Sequence, residues 1–323
     1  METILAQGLE AFKKHNDPPS IPDIPHLDGL VRITEAGKRT LWITFVVMAV
    51  ASLIFLLMSF RQPAKARIFH HVTFFITATA AVSYYCMASG MGNAIIKAPG
   101  NHAFREVYYA RYLDWLITTP LLLLDCCLLA GVPAAEIVLI ILADIGMILT
   151  GLLAGVDDGR TTRWGLFTIS CLFFLYVLWG LLFSARNTAF GKSDRVGKLY
   201  LGIAVYTAVL WIAYPVVWAF AEGTNSITGD TEVLAYAILD IAAKAVFGGW
   251  LLLAHENVEE TKIQLPNSWV TAPNSGYGRV SQQRRMLSSS SRPRKRDGRS
   301  HSSLVSLNTI YAPTRFMSWS CWC

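Results

Sequence analysis

The chain has 323 residues, of which 53% are hydrophobic and only 15% charged. A soluble domain carries about 25% charged residues, so the composition points away from a soluble enzyme and toward a membrane protein. The formal net charge of +6 is unevenly spread, and its placement carries topology rather than marking a nucleic-acid partner.

In chain order, residues 1–38 are polar with several prolines and are expected to be a poorly ordered extracellular lead without a cleavable signal peptide. A bilayer-spanning helix needs about 20 mostly apolar residues. Seven such runs follow, over residues 40–60, 68–91, 107–129, 133–155, 164–184, 199–222 and 231–255. Most connections between them are short, as in a bundle of antiparallel neighbours. The expected fold is all-α, a seven-transmembrane-helix bundle occupying residues 39–255. From residue 256 to 323 the composition turns to Ser, Arg and Pro with little to bury, and this segment is expected to be a disordered basic cytoplasmic tail.

The links "RQPAKAR" and "SARNTAFGKSDRVGK" and the tail segment "RRMLSSSSRPRKRDGR" are basic. The opposite side carries "VDDGRTTR" and an acidic last loop with Glu222, Asp230 and Glu232. Lys and Arg concentrate on the cytoplasmic side of membrane proteins, so the N-terminus is predicted outside and the C-terminus inside. The basic cluster over residues 279–299 suits either an anionic inner leaflet or plain solvent.

Of the six cysteines, Cys86, Cys126, Cys127 and Cys171 fall in spans and Cys321 and Cys323 at the extreme end. Their spacing gives no disulfide framework and no metal site. The terminal "SWSCWC" lacks the prenylation box, and its cysteines remain palmitoylation candidates.

Ionisable residues at membrane depth are costly and mark ion pathways, proton relays or ligand counter-ions. The third run holds Arg111, Asp114 and Asp125, the fourth Glu136 and Asp144, and the seventh Asp240 and Lys244. Asp240 and Lys244 are four apart and share a helix face. A buried lysine can act as a nucleophile toward an aldehyde. The spacing alone leaves open a Lys–Asp pair that only ties helices together. Asp114 and Asp125 are eleven apart, about three helical turns or roughly 16 Å along the axis, with Thr118 between them on the same face. With Arg111 one turn further out, ionisable groups stand at three depths on one face, as a proton relay requires.

The segments "RYLDWLITTPLLLLD", "WIAYPVVW" and "LDIAAKAVFGG" together resemble the microbial-type (type 1) rhodopsins, most closely the fungal relatives of bacteriorhodopsin. The resemblance extends across all seven runs and leaves out both tails. It implies all-trans retinal bound covalently to Lys244 as a protonated Schiff base, with Asp114 and Asp240 as counter-ions. Asp114 then matches the proton acceptor and Asp125 the internal donor, whose apolar surroundings disfavour a charge and keep its proton in place. Arg111 matches the residue that orients water and steadies the counter-ions. Glu222 and Glu232 resemble the outer proton-release pair, although Glu222 sits one residue closer to Trp218 than in the archaeal pattern. Trp115, Trp211, Tyr214, Pro215, Trp218 and Leu122 match pocket positions, with Tyr84 near the counter-ions and Thr118 beside them. Met147, Gly151 and Ser170 match the ring end. Phe167 stands where the archaeal pump has tryptophan. Thr119 and Asp144 match an interhelical hydrogen-bonding pair.

The implied function is a light-driven outward proton pump in the plasma membrane, with protons and lipids as partners; relatives form small homo-oligomers, and the sequence leaves this chain's own assembly open. A slow-cycling sensory photoreceptor is the alternative, since fungal relatives include both kinds. A chloride pump usually lacks the carboxylate at Asp114, a sensory type usually lacks the one at Asp125, and an algal-type channel usually has cysteine at Thr119. Lys244 separates the chain from retinal-free relatives.

Overall fold

The computed structural model describes residues 30–98, 104–256, 258 and 261. Residues 1–29 and most of the tail, including the basic cluster and the two terminal cysteines, lie outside the described residues.

Among the described residues there are seven long helices: α1 (Glu35–Ser59), α2 (Ile68–Ala88), α3 (Tyr109–Ala130), α4 (Ala134–Val156), α5 (Arg160–Lys192), α6 (Asp194–Gly223) and α7 (Gly229–His255). All but α2 are long and apolar enough to cross a membrane. His70, His71, three threonines and Ser83 dilute the apolar content of α2. Helix starts follow capping chemistry. Thr34 accepts from the Ala36 amide at 3.1 Å, with Glu35 in the first turn of α1, which suits the positive end of the helix dipole. α3 stops at Gly131, whose φ of 80° lies in the left-handed region. The Gly131 and Val132 amides turn back to the Cys127 carbonyl at 2.8 and 3.0 Å, and Pro133 then opens α4.

The architecture is mostly helical, with one departure from the all-α expectation. Two short strands, β1 (Ala94–Lys97) and β2 (Phe104–Val107), pair antiparallel between α2 and α3, with Ala94 opposite Val107. Each is four residues long, too short for alternation to stand out from the apolar run beside it. Val107, expected within the third span, belongs to β2, and the helix starts at Tyr109.

The bundle has an inverted polarity. Its outer surface is apolar, with Ile43, Leu57, Leu142, Val209 and Leu253 more than 40% exposed. Its interior holds Thr44, Thr77, Asp114, Asp125, Asp144, Asp240 and Lys244, all nearly or fully buried. That distribution suits lipid outside and a functional polar centre inside. π-helical segments interrupt α5 at Gly180–Ala185, close α6 at Ala219–Gly223, and cross α7 at Ile241–Val246, around Lys244. Such widened turns occur often at functional sites.

Candidate functional site

Lys244 sits in the widened turn of α7 and is 1% exposed. Its Nζ donates to Asp114 Oδ2 on α3 at 2.5 Å and to Asp240 Oδ1 on its own helix at 3.2 Å. A buried cation is tolerated only when paired and hydrogen-bonded, and here two carboxylates supply the pairing. They are not equivalent. Asp240 also accepts from Tyr84 Oη at 2.7 Å, Tyr214 Oη at 2.8 Å and Trp115 Nε1 at 3.3 Å. Asp114 receives only Lys244, and its Oδ1 has no partner among the described residues.

Beside this cluster lies an apolar cavity with Lys244 and Asp240 in its wall. Of the residues singled out in the sequence, Trp115, Thr119, Leu122, Met147, Gly151, Phe167, Ser170, Trp211, Tyr214, Pro215 and Trp218 line it. Tyr84, Thr118 and Asp144 are outside the lining. Tyr84 stands behind Asp240 as a hydrogen-bond donor, and Thr118 Oγ1 donates to the Asp114 carbonyl at 2.9 Å. Asp144 accepts from Thr119 Oγ1 at 2.7 Å, which makes the expected α3–α4 link. Phe167 stacks on Trp218 with centroids 4.4 Å apart and planes at 9°. A Cβ on Gly151 would meet Ser170 Oγ at 3.4 Å, so the glycine keeps that wall thin.

Tyr112, Ile148, Cys171, Phe174, Tyr236 and Ala243 also line the cavity and were missed by the sequence reading. Spacing offered a signal for three of them. Tyr112 is three before Trp115, Tyr236 four before Asp240, and Ala243 adjoins Lys244.

Toward the end of the bundle where α7 finishes, Asp125 is fully buried. Thr73 Oγ1 on α2 donates to its Oδ2 at 3.3 Å, and its Oδ1 has no partner among the described residues. Leu122, Leu123, Cys126 and Leu129 belong to the apolar cluster on this part of α3. A continuous helix separates Asp125 from Asp114, so the axial gap is the roughly 16 Å of an eleven-residue step.

At the opposite end, Arg111 Nη1 donates to Glu232 Oε1 at 2.7 Å, and its guanidinium lies 4.2 Å from the centre of the Tyr236 ring. Among the described residues Arg111 makes no direct bond to Asp114 or Asp240, and its tie runs to Glu232 instead. Arg105, on β2 and absent from the sequence-based set, donates to Glu232 Oε2 at 2.5 Å, to Asn225 Oδ1 at 2.5 Å and to the Ile227 carbonyl at 3.1 Å. Glu222 lies at this same end, where its Oε1 accepts from Tyr112 Oη at 3.2 Å. Tyr112 Oη in turn accepts from Trp218 Nε1 at 2.8 Å. Glu222 and Glu232 do not bond to each other.

Residues 35–258 match the family described as bacteriorhodopsin-like protein. The chain belongs to that family. Opsin-1 of Neurospora crassa is 42% identical over 248 residues, which cover 73% of this chain and 82% of that protein. The crystal structure of the light-driven proton pump LR (Mac) from Leptosphaeria maculans superposes with a TM-score of 0.70 at 42% identity, covering 72% of this chain and 99% of that one. The light-driven proton pump CsR of Coccomyxa subellipsoidea superposes at 0.68 with 43% identity, covering 70% and 100%. The family is one of light-driven ion pumps and photoreceptors, not of classical enzymes.

Bacteriorhodopsin-like opsins bind retinal, an apolar polyene ending in an aldehyde. The cavity here has the matching chemistry: aromatic walls, a thin spot at Gly151, and one primary amine, Lys244, buried in its lining.

Proposed function

We propose that this rhodopsin is a light-driven outward proton pump, with its N-terminus outside and its C-terminus in the cytoplasm. Lys244 Nζ would hold retinal as a protonated Schiff base, and the bound group would supply the absorption of light and a change of shape at that nitrogen. The chain supplies the proton path. Trp115, Trp211, Tyr214 and Trp218 hold the polyene and fix its orientation, because flat aromatic faces give large rigid contact. Asp240 is engaged by four donors and acts as a fixed anion. Asp114 has an oxygen free of protein donors, so it takes the proton that leaves the Lys244 nitrogen. Transfer converts a charged pair into a neutral one and removes the attraction that held the proton in place.

Asp125 then returns a proton to the same nitrogen from the other side. Its separation from Asp114 makes the transfer directional, since the acceptor and the donor cannot exchange protons with each other directly. On the outer side, Arg111, Glu222 and Glu232 pass charge to the surface. The observation that carries the reading is the contrast between the two aspartates of α3: one bonded to Lys244, the other buried in the apolar layer with Thr73 as its hydrogen-bond donor among the described residues. The positive-inside distribution supports the orientation. The plasma membrane is the location at which outward pumping energises the cell.

Cells expressing the chain with added retinal are expected to become coloured and to acidify an unbuffered medium on illumination, with the signal abolished by an uncoupler. A coloured protein that gives no acidification and cycles over seconds would instead support a slow-cycling photoreceptor. Lys244→Ala is expected to remove the visible band, and retained colour would sink the assignment of the attachment site.

A further inference from the structure

At the end of the bundle where α7 finishes, one titratable cluster plays no part in the site described above. His70, in the first turn of α2, is fully buried. Neither ring nitrogen makes a hydrogen bond among the described residues. Its Nε2 nonetheless lies 3.4 Å from Glu256 Oε1, within ion-pair distance but without hydrogen-bond alignment. The Glu256 side chain is 35% exposed, so it meets water while the imidazole does not. Gln62 Nε2 donates to the same Oε1 at 2.7 Å and holds the carboxylate over the ring.

A histidine that serves only as packing normally bonds a ring nitrogen to a nearby carbonyl. His255 does so, with Nδ1 3.2 Å from the Leu251 carbonyl and 3.1 Å from that of Leu252. His70 does not. It lies three residues before Thr73, on the same helix face and about one turn away. Thr73 is the residue that donates to Asp125. A half-exposed carboxylate, a buried imidazole, a hydroxyl and a buried carboxyl therefore follow one another inward.

We propose that Glu256 and His70 form the proton-entry relay that reloads Asp125. The proposal rests on the reading of Asp125 as the internal donor. A proton from bulk water binds the Glu256 carboxylate and passes to the His70 ring. The resulting imidazolium gives one proton, by way of the Thr73 hydroxyl and water, to ionised Asp125. Glu256 ends as a carboxylate and His70 as neutral imidazole, so one proton enters and one is delivered. The titratable groups facing the ring are His255 at the end of α7, Glu256 just past it, and His71 from its own helix.

The test uses the full chain loaded with retinal in lipid nanodiscs. Time-resolved infrared spectroscopy follows the carbonyl band of protonated Asp125 after a flash. His70→Phe is expected to slow recovery of that band by at least about ten-fold, to leave its initial loss unchanged, and to regain the parent rate when imidazole is added. Glu256→Gln is expected to slow recovery less and to alter its pH profile. Slowed recovery that imidazole does not rescue marks a structural role and overturns the relay, as does unchanged recovery in both variants. Either result leaves the pump reading standing, because the parent still loses and regains the band. A parent with no Asp125 band change defeats the pump reading itself, and the relay with it. If His70→Phe fails to take up colour, Glu256→Gln carries the test. A second readout needs no retinal. In the unloaded opsin, Glu256→Gln is expected to move the midpoint of the His70 ring titration seen by NMR, and an unmoved midpoint overturns the relay.

Discussion

Glu232 is the one carboxylate between two buried arginines, and this arrangement predicts an unusual order of mutant stabilities. Arg105, Arg111 and Glu232 are each 1–2% exposed, with ion-pair distances of 2.5 and 2.7 Å. Two guanidinium groups and one carboxylate give the triad a formal charge of +1. Arg105→Gln leaves a neutral Arg111–Glu232 pair and forfeits charge-assisted bonds, a loss of about 1.5–3 kcal/mol. Glu232→Gln leaves two buried cations without their shared partner, and breaking a buried pair from one side costs about 3–5 kcal/mol. The double variant has lost the attraction once rather than twice, so its cost should fall short of the sum by about 0.5–3 kcal/mol. Thermal melting in nanodiscs, followed by circular dichroism, measures all three. Glu232→Gln tolerated as well as Arg105→Gln, or strict additivity in the double variant, would show that the triad is not electrostatically coupled and would refute the reasoning.

Asp125→Asn removes the proposed donor and is expected to slow reprotonation of the Lys244 nitrogen by about 100-fold or more, with azide restoring the rate; an unchanged rate in flash photolysis would exclude Asp125 as donor. Thr119→Val leaves Asp144 buried without its hydrogen-bond partner and is expected to cost about 1–3 kcal/mol, whereas pairing it with Asp144→Leu should recover much of the loss in the same melting assay. Phe167→Trp enlarges the ring that stacks on Trp218, and a shifted visible absorption maximum is expected; a spectrum identical to the parent would place that stack beyond the reach of the chromophore.

The helices and the pairing of Lys244 were legible because membrane physics writes them plainly. A long apolar run has few alternatives to a spanning helix, and an ionisable residue inside one needs a partner. The Asp240–Lys244 pair follows from that rule and from helical spacing, whereas Asp114 as a second partner and the Thr119–Asp144 link come from the resemblance to microbial rhodopsins. Arg105 was not legible, because its partners Asn225, Ile227 and Glu232 are more than a hundred residues away, and its own strand is four residues long. His70 was hidden for a related reason. In sequence it is one polar residue among several in α2, and only the end of α7 folding over it supplies Glu256. Tyr236 and Tyr112 were not singled out, although their spacing from Asp240 and Trp115 puts them on the same helix faces, because a single aromatic in an apolar run is common in packing.

The resemblance implies different roles for Asp114 and Asp240, and in the structure the two carboxylates near Lys244 differ in their other partners. Tyr84, Tyr214 and Trp115 converge on Asp240 from α2, α6 and α3. Asp240 thus accepts from three neutral donors as well as from Lys244. Asp114 holds the shorter bond to Lys244, 2.5 Å against 3.2 Å, and keeps an oxygen clear of protein donors. A proton placed there displaces nothing. On the proposed reading, the same nitrogen has one neighbour held by several donors and one with an oxygen open to a proton, and this difference in hydrogen bonding, more than the number of acids nearby, would give proton transfer a single destination.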